Sequence, residues 1–237
     1  MPCHGEHVSI ALMRRNKAQI SEHTISPTGK PALRIALPPG ETPAAGQPIL
    51  AYLPGSDAAL RTALYASRID ATGFTSVEIP SPAWSVGSVL DLLGPIGRGF
   101  SPAPQAKRWL IIALDQPVDR LLPLVDLAVA SDISVVLYSD GQLPALPAQV
   151  EIATALEDVI QWADYIAMDT KVSSFANFTE MIRNGSGFPP AAQIEALLDL
   201  SLACGLGVCD GCALRQRGGW LLACQDGPVI DIKDWVS

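Results

Sequence analysis

"CGLGVCDGCALRQRGGWLLACQDGP", Cys204–Pro228, holds four of the chain's five cysteines. Their spacing is Cys204-x4-Cys209-x2-Cys212-x11-Cys224. Two tetrahedral irons bridged by sulfide need four thiolates, drawn from one tight loop and one distant return. A C-x4-C-x2-C…C pattern supplies that arrangement. The loop must also bend closely round inorganic sulfides and aim backbone N–H groups at them. Gly205, Gly207 and Gly211 offer the freedom this needs, because glycine accepts positive φ and close approach. A structural zinc site is the alternative, since four-cysteine zinc modules also use a C-x2-C knuckle. Those modules pair two short knuckles, whereas here three cysteines cluster and one returns from a distance. The reading is a [2Fe–2S] cluster on Cys204, Cys209, Cys212 and Cys224.

Two nearby features stay open. Cys3 stands with His4 and His7 in "CHGEH", which could ligate a metal; a frayed terminus is the plainer reading. Arg215 and Arg217 could meet a partner or simply form a solvated hairpin tip.

The rest of the chain sets limits. It has 237 residues, 49% hydrophobic and 17% charged, a globular composition. A net charge of −8 argues against a nucleic-acid surface, which needs a basic patch. No uninterrupted apolar run approaches the roughly 18 residues that cross a bilayer. The segment "MPCHGEHVSIALMRRNK" lacks the charge-then-apolar order of a signal peptide. A cytoplasmic protein with no membrane span is expected, where reduced thiols suit metal or cluster ligation better than disulfides.

Working back toward the N-terminus, three domains are expected: an antiparallel β-barrel over residues 1–103, a Rossmann-like α/β layer over 104–188, and the cluster module over 189–237. The fold class is α+β, multidomain. "HVSIALM", "ALRIAL", "PILAYL" and "TSVEIP" are short strands separated by Pro- and Gly-rich turns, as in a barrel or sandwich. Three glycines crowd Leu90–Phe100, and Ser101–Lys107 reads as a linker. "RWLIIAL", "DISVVLYSD" and "DYIAMD" are apolar runs typical of buried parallel strands. "PVDRLLPLVDLAVAS" lies between the first two and reads as a helix containing Pro123, so the pattern is βαβ. "NGSGFPP" looks like a connector, and "AAQIEALLDLSLA" is expected as a helix leading into the cysteines.

These residues resemble a known family. "LACGLGVCDGCALR…WLLACQDGPVIDIKDW" is similar to the C-terminal cluster module of the electron-transfer subunit of class 1B dihydroorotate dehydrogenase, the PyrK family. The core C-G-x-G-x-C-x-G-C and the final cysteine followed by D-G-P-V both match. "GPIGRGF", Gly94–Phe100, is similar to the turn that ends the family's flavin-binding barrel. The resemblance implies a ferredoxin-reductase-like order of barrel, α/β layer and plant-ferredoxin-like module. It also implies FAD in the barrel, NAD in the middle domain, and a relay of electrons to or from a separate flavin-containing catalytic subunit.

Residue by residue, the cluster carries over in full and FAD stays open. Its candidates are Arg61, Tyr65, Gly94 and Gly97. The family's arginine-proline-x-serine stretch falls on "LRTALYASRI", where Arg61 could meet a pyrophosphate and Tyr65 could stack on a ring. NAD does not carry over. "IIALDQPVDRLLPL", Ile111–Leu124, has no glycine turn to admit a phosphate, and Asp115 and Asp119 would repel one. The family's cysteine-glycine-proline turn is also missing after "ADYIAMD". Trp162, Asp164 and Tyr165 then need only packing roles. Two other readings remain: an organising subunit with a structural cluster, and a flavoprotein reductase with a non-nicotinamide donor. The partner is expected over the cluster loop, at Leu206 and Val208.

Overall fold

The computed structural model describes residues 15–184, 187, 189, 192–216 and 219–232. The "CHGEH" group, the strand expected at 7–13, Arg217 and most of the 184–190 connector lie outside the described residues.

Seven strands form the first sheet: β1 (Arg15–Ile25), β2 (Pro31–Ala36), β3 (Ile49–Tyr52), β4 (Thr62–Leu64), β5 (Ala66–Asp70), β6 (Gly73–Ser76) and β7 (Val89–Leu93). Their order is β4-β3-β7-β1-β2-β6-β5, and each pairing is antiparallel. The strands β4 and β5 lie at opposite edges, yet Tyr65 alone separates them in the chain. The sheet must therefore curl until its edges meet, as the expected barrel requires. Ile20, Leu33, Ile35, Phe74 and Leu90 fill the interior with no measurable exposure. The strand expected over "TSVEIP" starts earlier and stops at Ser76. Beyond it Glu78 turns inward and accepts the Tyr65 N–H at 3.2 Å and the Ser76 hydroxyl.

The second sheet contains β8 (Arg108–Leu114), β9 (Ser134–Ser139), β10 (Val150–Ile152), β11 (Tyr165–Lys171) and β12 (Gln193–Asp199), all parallel. A 3-10 turn, Val118–Leu121, leads into α1 (Leu122–Ala130), and α2 (Val172–Asn184) follows β11. Pro123 sits in the first turn of α1, where its missing N–H costs no helical hydrogen bond. The helix expected at 191–203 is a correction: residues 193–199 form β12. Ile194, Ala196, Leu197 and Leu198 are buried on both faces of a parallel sheet. Such a strand is continuously apolar, so periodicity could not separate it from a buried helix.

The last stretch forms a hairpin, β13 (Ala213–Gln216) with β14 (Gly219–Leu222), and then β15 (Val229–Asp231). β15 pairs antiparallel with β12, so the sheet order is β10-β9-β8-β11-β12-β15. The barrel holds the same stretch from its other side. A Cβ on Gly97 would lie 1.8 Å from the Gly227 carbonyl oxygen, and Arg98 bridges Pro228. One core cluster consequently joins the three parts among the described residues, from Leu50 and Ile96 through Leu110 and Ile166 to Leu202, Cys212 and Cys224, while Ile20, Leu33 and Phe74 fill a separate barrel core. Among the described residues no helix is long and apolar enough to cross a membrane.

The Gly97 contact gives a stability test. Gly97 has φ +61 and no room for a methyl group, so Gly97→Ala should cost about 3 kcal/mol or more. Gly29 has φ +81 but nothing within 4 Å of an added Cβ, so Gly29→Ala should cost only about 1 kcal/mol. Urea denaturation reads the difference, and equal midpoints would contradict the close approach.

Candidate metal centre

The first three cysteines ride on an irregular loop over residues 200–212. Gly205 (φ 66), Gly207 (φ 71) and Asp210 (φ 52) take left-handed conformations that fold the loop tightly. The third turning position is therefore Asp210 rather than Gly211. A Cβ on Gly205 would stand 2.6 Å from Leu50 Cδ1, so the loop rests directly on the barrel core. Cys224 returns just after β14, and the Ala223 N–H donates to the Cys212 carbonyl at 3.1 Å. The distant cysteine is thereby fixed beside the C-x2-C turn.

The four thiols meet as two pairs. Cys204 lies beside Cys209, and Cys212 beside Cys224. The first pair is the outer one, with Cys209 exposed and Cys204 half-buried; the second is buried. Three thiols on one loop and a fourth returning after the hairpin suit two metals bridged by small anions. The residues present fit the [2Fe–2S] group.

Backbone N–H groups tune the site. Leu206 N–H donates to Cys204 Sγ at 3.3 Å. Burial opposes the Cys204 thiolate, but the N–H groups of Leu206 and Val208, the Cys209 thiol and the Cys209 N–H outweigh it. The Cys204 pKa falls from 9.0 to about 6. Cys224 is pushed up to about 12, by burial first and then by its bond with Cys212 and that thiol's charge. Cys224 therefore gains most from a cation that replaces its proton.

Two residues here were not singled out from sequence. Gln225 donates its side-chain N–H to the Leu206 carbonyl at 3.3 Å and fills the space a Gly207 side chain would need. Its place after the last ligand cysteine was the available signal. Trp220 on β14 is 71% exposed, beside Leu206 at 47% and Val208 at 74% among the exposed apolar residues of this segment. Arg215 is exposed and pairs across the hairpin with Trp220.

The FAD candidates lie beside and just after the barrel strands. Arg61 Nη1 donates to the Asp91 carbonyl at 2.6 Å, with an ion pair to the Asp91 carboxylate at 3.3 Å. Gly94 packs on Ile96 and the Pro48 carbonyl, and Gly97 on Gly227. Tyr65 lies under the guanidinium of Arg120, 4.7 Å from its ring centre.

The aspartates of the absent glycine turn have structural partners. Asp119 is fully buried and accepts the Thr28 hydroxyl at 2.7 Å, tying the turn before α1 to the barrel. Asp115, at φ 55, donates its N–H to Asp140 and accepts the Ser174 hydroxyl. Asp164 caps the start of β8 by accepting the Lys107 and Arg108 N–H groups. Tyr165 stacks edge-on to Trp109 at 5.2 Å and donates its hydroxyl to Glu195 at 2.7 Å. Trp162 packs partly buried against the core.

Ligand replacement tests the centre. Cys209→Ser should abolish or strongly weaken the visible absorption of an iron–sulfur chromophore, whereas Cys3→Ser should leave it unchanged. The intact protein should hold about two irons and two acid-labile sulfides per chain. Stoichiometric zinc without sulfide would contradict the cluster assignment.

Comparison with known proteins agrees with this centre. Residues 201–235 match the family described as the iron-sulfur cluster binding domain of dihydroorotate dehydrogenase B. No curated protein sequence matches the chain. Among solved structures, the NADH-dependent reduced ferredoxin-NADP oxidoreductase aligns over 92% of this chain and 87% of its own, with TM-score 0.65 and 16% identity. Phthalate dioxygenase reductase aligns over 81% and 70%, with TM-score 0.57 and 11% identity. The ferredoxin reductase of carbazole 1,9a-dioxygenase, in an FAD apo form, aligns over 79% and 68%, with TM-score 0.57 and 15% identity. At such identities the likeness concerns the fold. Residues 201–235 are thus similar to the iron-sulfur cluster binding domain of dihydroorotate dehydrogenase B, carried on a chain whose fold is like that of ferredoxin reductases.

Proposed function

We propose that this chain is an electron-transfer subunit that exchanges electrons with a flavin-containing, dihydroorotate-dehydrogenase-like catalytic subunit through a [2Fe–2S] cluster. The observation that carries this reading is the convergence of Cys204, Cys209, Cys212 and Cys224 within the matched segment. When bound, the cluster supplies one-electron transfer at a potential set by its thiolates, its N–H donors and its exposure. The chain's own residues hold and aim it. The Leu206, Val208 and Cys209 N–H groups favour negative charge on the Cys204 sulfur, and the buried Cys212 and Cys224 fix the inner edge. No general acid, base or nucleophile is assigned, because proton and carbon chemistry would belong to the partner. Four free cysteines suit a reducing compartment, and a cytoplasmic setting is part of the proposal.

Electrons must also leave. Cys209 is at the surface, and Leu206 and Val208 expose apolar side chains on the same loop. Apolar groups at an interface centre often dominate its energy, so the partner is proposed to dock there. Leu206→Asp and Val208→Asp should each abolish co-purification while leaving the cluster spectrum intact. Survival of both the complex and electron transfer would move the docking surface elsewhere.

Nicotinamide is not part of this reading. The turn after β8 has no glycine cradle, and it presents Asp115 where a dinucleotide phosphate would approach. NADH added to the isolated subunit should leave the visible spectrum unchanged over minutes. Prompt bleaching would contradict this account of residues 111–124.

A further inference from the structure

In a fold that curls a barrel against a parallel sheet, the crevice to examine lies at the carboxyl ends of the strands, where the strand order reverses. Here β9 and β10 lie on one side of β8, and β11 and β12 on the other. Arg120 follows β8, Asp169 lies near the end of β11, and Asp199 ends β12. Tyr65, the one residue at the barrel seam, faces the same place.

Arg120 fills that crevice. Its Nε and Nη2 donate to the two oxygens of Asp169 at 2.7 and 2.6 Å, and its Nη1 donates to Asp199 at 3.2 Å. The flat cation lies over the Tyr65 ring, in cation–π contact. A fork held on both tips by one carboxylate is geometrically fixed. Arg120 is 5% exposed, Asp169 fully buried and Tyr65 4% exposed, so neither face of the ring is open.

We infer that the flavin seat of this fold is filled from within: the Arg120 guanidinium, locked to Asp169, occupies the face of Tyr65 on which a flavin ring would stack, and the chain takes up no FAD. A guanidinium and a tricyclic ring cannot share one face of a buried tyrosine. The other contacts that FAD requires are engaged too. Glu78 takes the Tyr65 N–H, Asp91 holds Arg61, and the Gly97 carbonyl accepts the Gln47 amide at 2.8 Å while its Cα abuts Gly227. Among the described residues the barrel strands are joined without a helix, so no helix N-terminus in the barrel can receive a pyrophosphate. The Tyr65 hydroxyl is buried with no hydrogen-bond partner. One hydroxyl asks for one partner, which a single water satisfies.

This inference stands independently of the partner named above, since it concerns only what the isolated chain holds. Protein purified with its cluster should release no FAD on acid denaturation beyond trace, and added FAD should keep its free fluorescence. About one FAD released per chain would overturn the inference, while iron and sulfide assays on the same sample report separately on the cluster. A double variant, Arg120→Ala with Asp169→Asn, removes the cation without stranding a buried carboxylate. It should bind lumiflavin, a bare flavin ring, about tenfold or more tighter than the parent. That gain should disappear when Tyr65→Leu is added. A folded double variant, judged by its cluster spectrum, that binds lumiflavin no better than the parent would overturn Arg120 as the obstacle.

Discussion

A guanidinium buried beside a tyrosine is tolerable only if its charge is matched, and the Arg120–Asp169 pair meets that demand. Burial alone would disfavour the charged arginine, yet Asp169 overrides it and holds the guanidinium firmly protonated. Breaking such a pair by removing one partner typically costs about 3–5 kcal/mol. The pair also has an architectural consequence. Tyr65 belongs to the barrel seam and Asp169 to the parallel sheet, so the stacked arginine pins the two bodies together. Asp119, the residue before it, repeats the tie through Thr28. A crevice that could open for ligands in this fold is thus used as internal glue.

The cluster segment is held with equal firmness from two sides. β15 completes the parallel sheet, and Gly227 abuts Gly97 of the barrel. The loop glycine Gly205 presses on Leu50, Leu93 and Ile96 of the barrel. The inner thiols sit in the common core, whereas the outer thiols sit where Leu206 and Val208 meet solvent. Burial of one edge and exposure of the other is what a relay centre needs: protection from solvent without isolation from a partner.

Much of this was legible in the sequence, for identifiable reasons. The four cysteines share one short segment, so their spacing encodes their geometry almost directly. β8, β9 and β11 were visible because a parallel strand buried on both faces is continuously apolar. The same property hid β12, whose "IEALLDL" reads equally as helix. The role of Arg120 was not legible. Its partners Tyr65, Asp169 and Asp199 are scattered through the chain, and only the fold brings them together. The available hints were a single arginine in the largely apolar stretch 117–131 and an aspartate closing "YIAMD". The contacts of Arg61 with Asp91 and of Gly97 with Gly227 were equally hidden, because these partners lie far apart along the chain.

A [2Fe–2S] cluster beside a flavin seat filled by Arg120 would make the subunit a one-electron carrier. An anaerobic reductive titration of the purified subunit with dithionite checks this, because it counts electrons. About one electron per chain is expected, taken up as the visible absorption bleaches. About three electrons per chain would reveal a two-electron flavin beside the cluster, and none would reveal a redox-inert metal such as zinc; either count would contradict it.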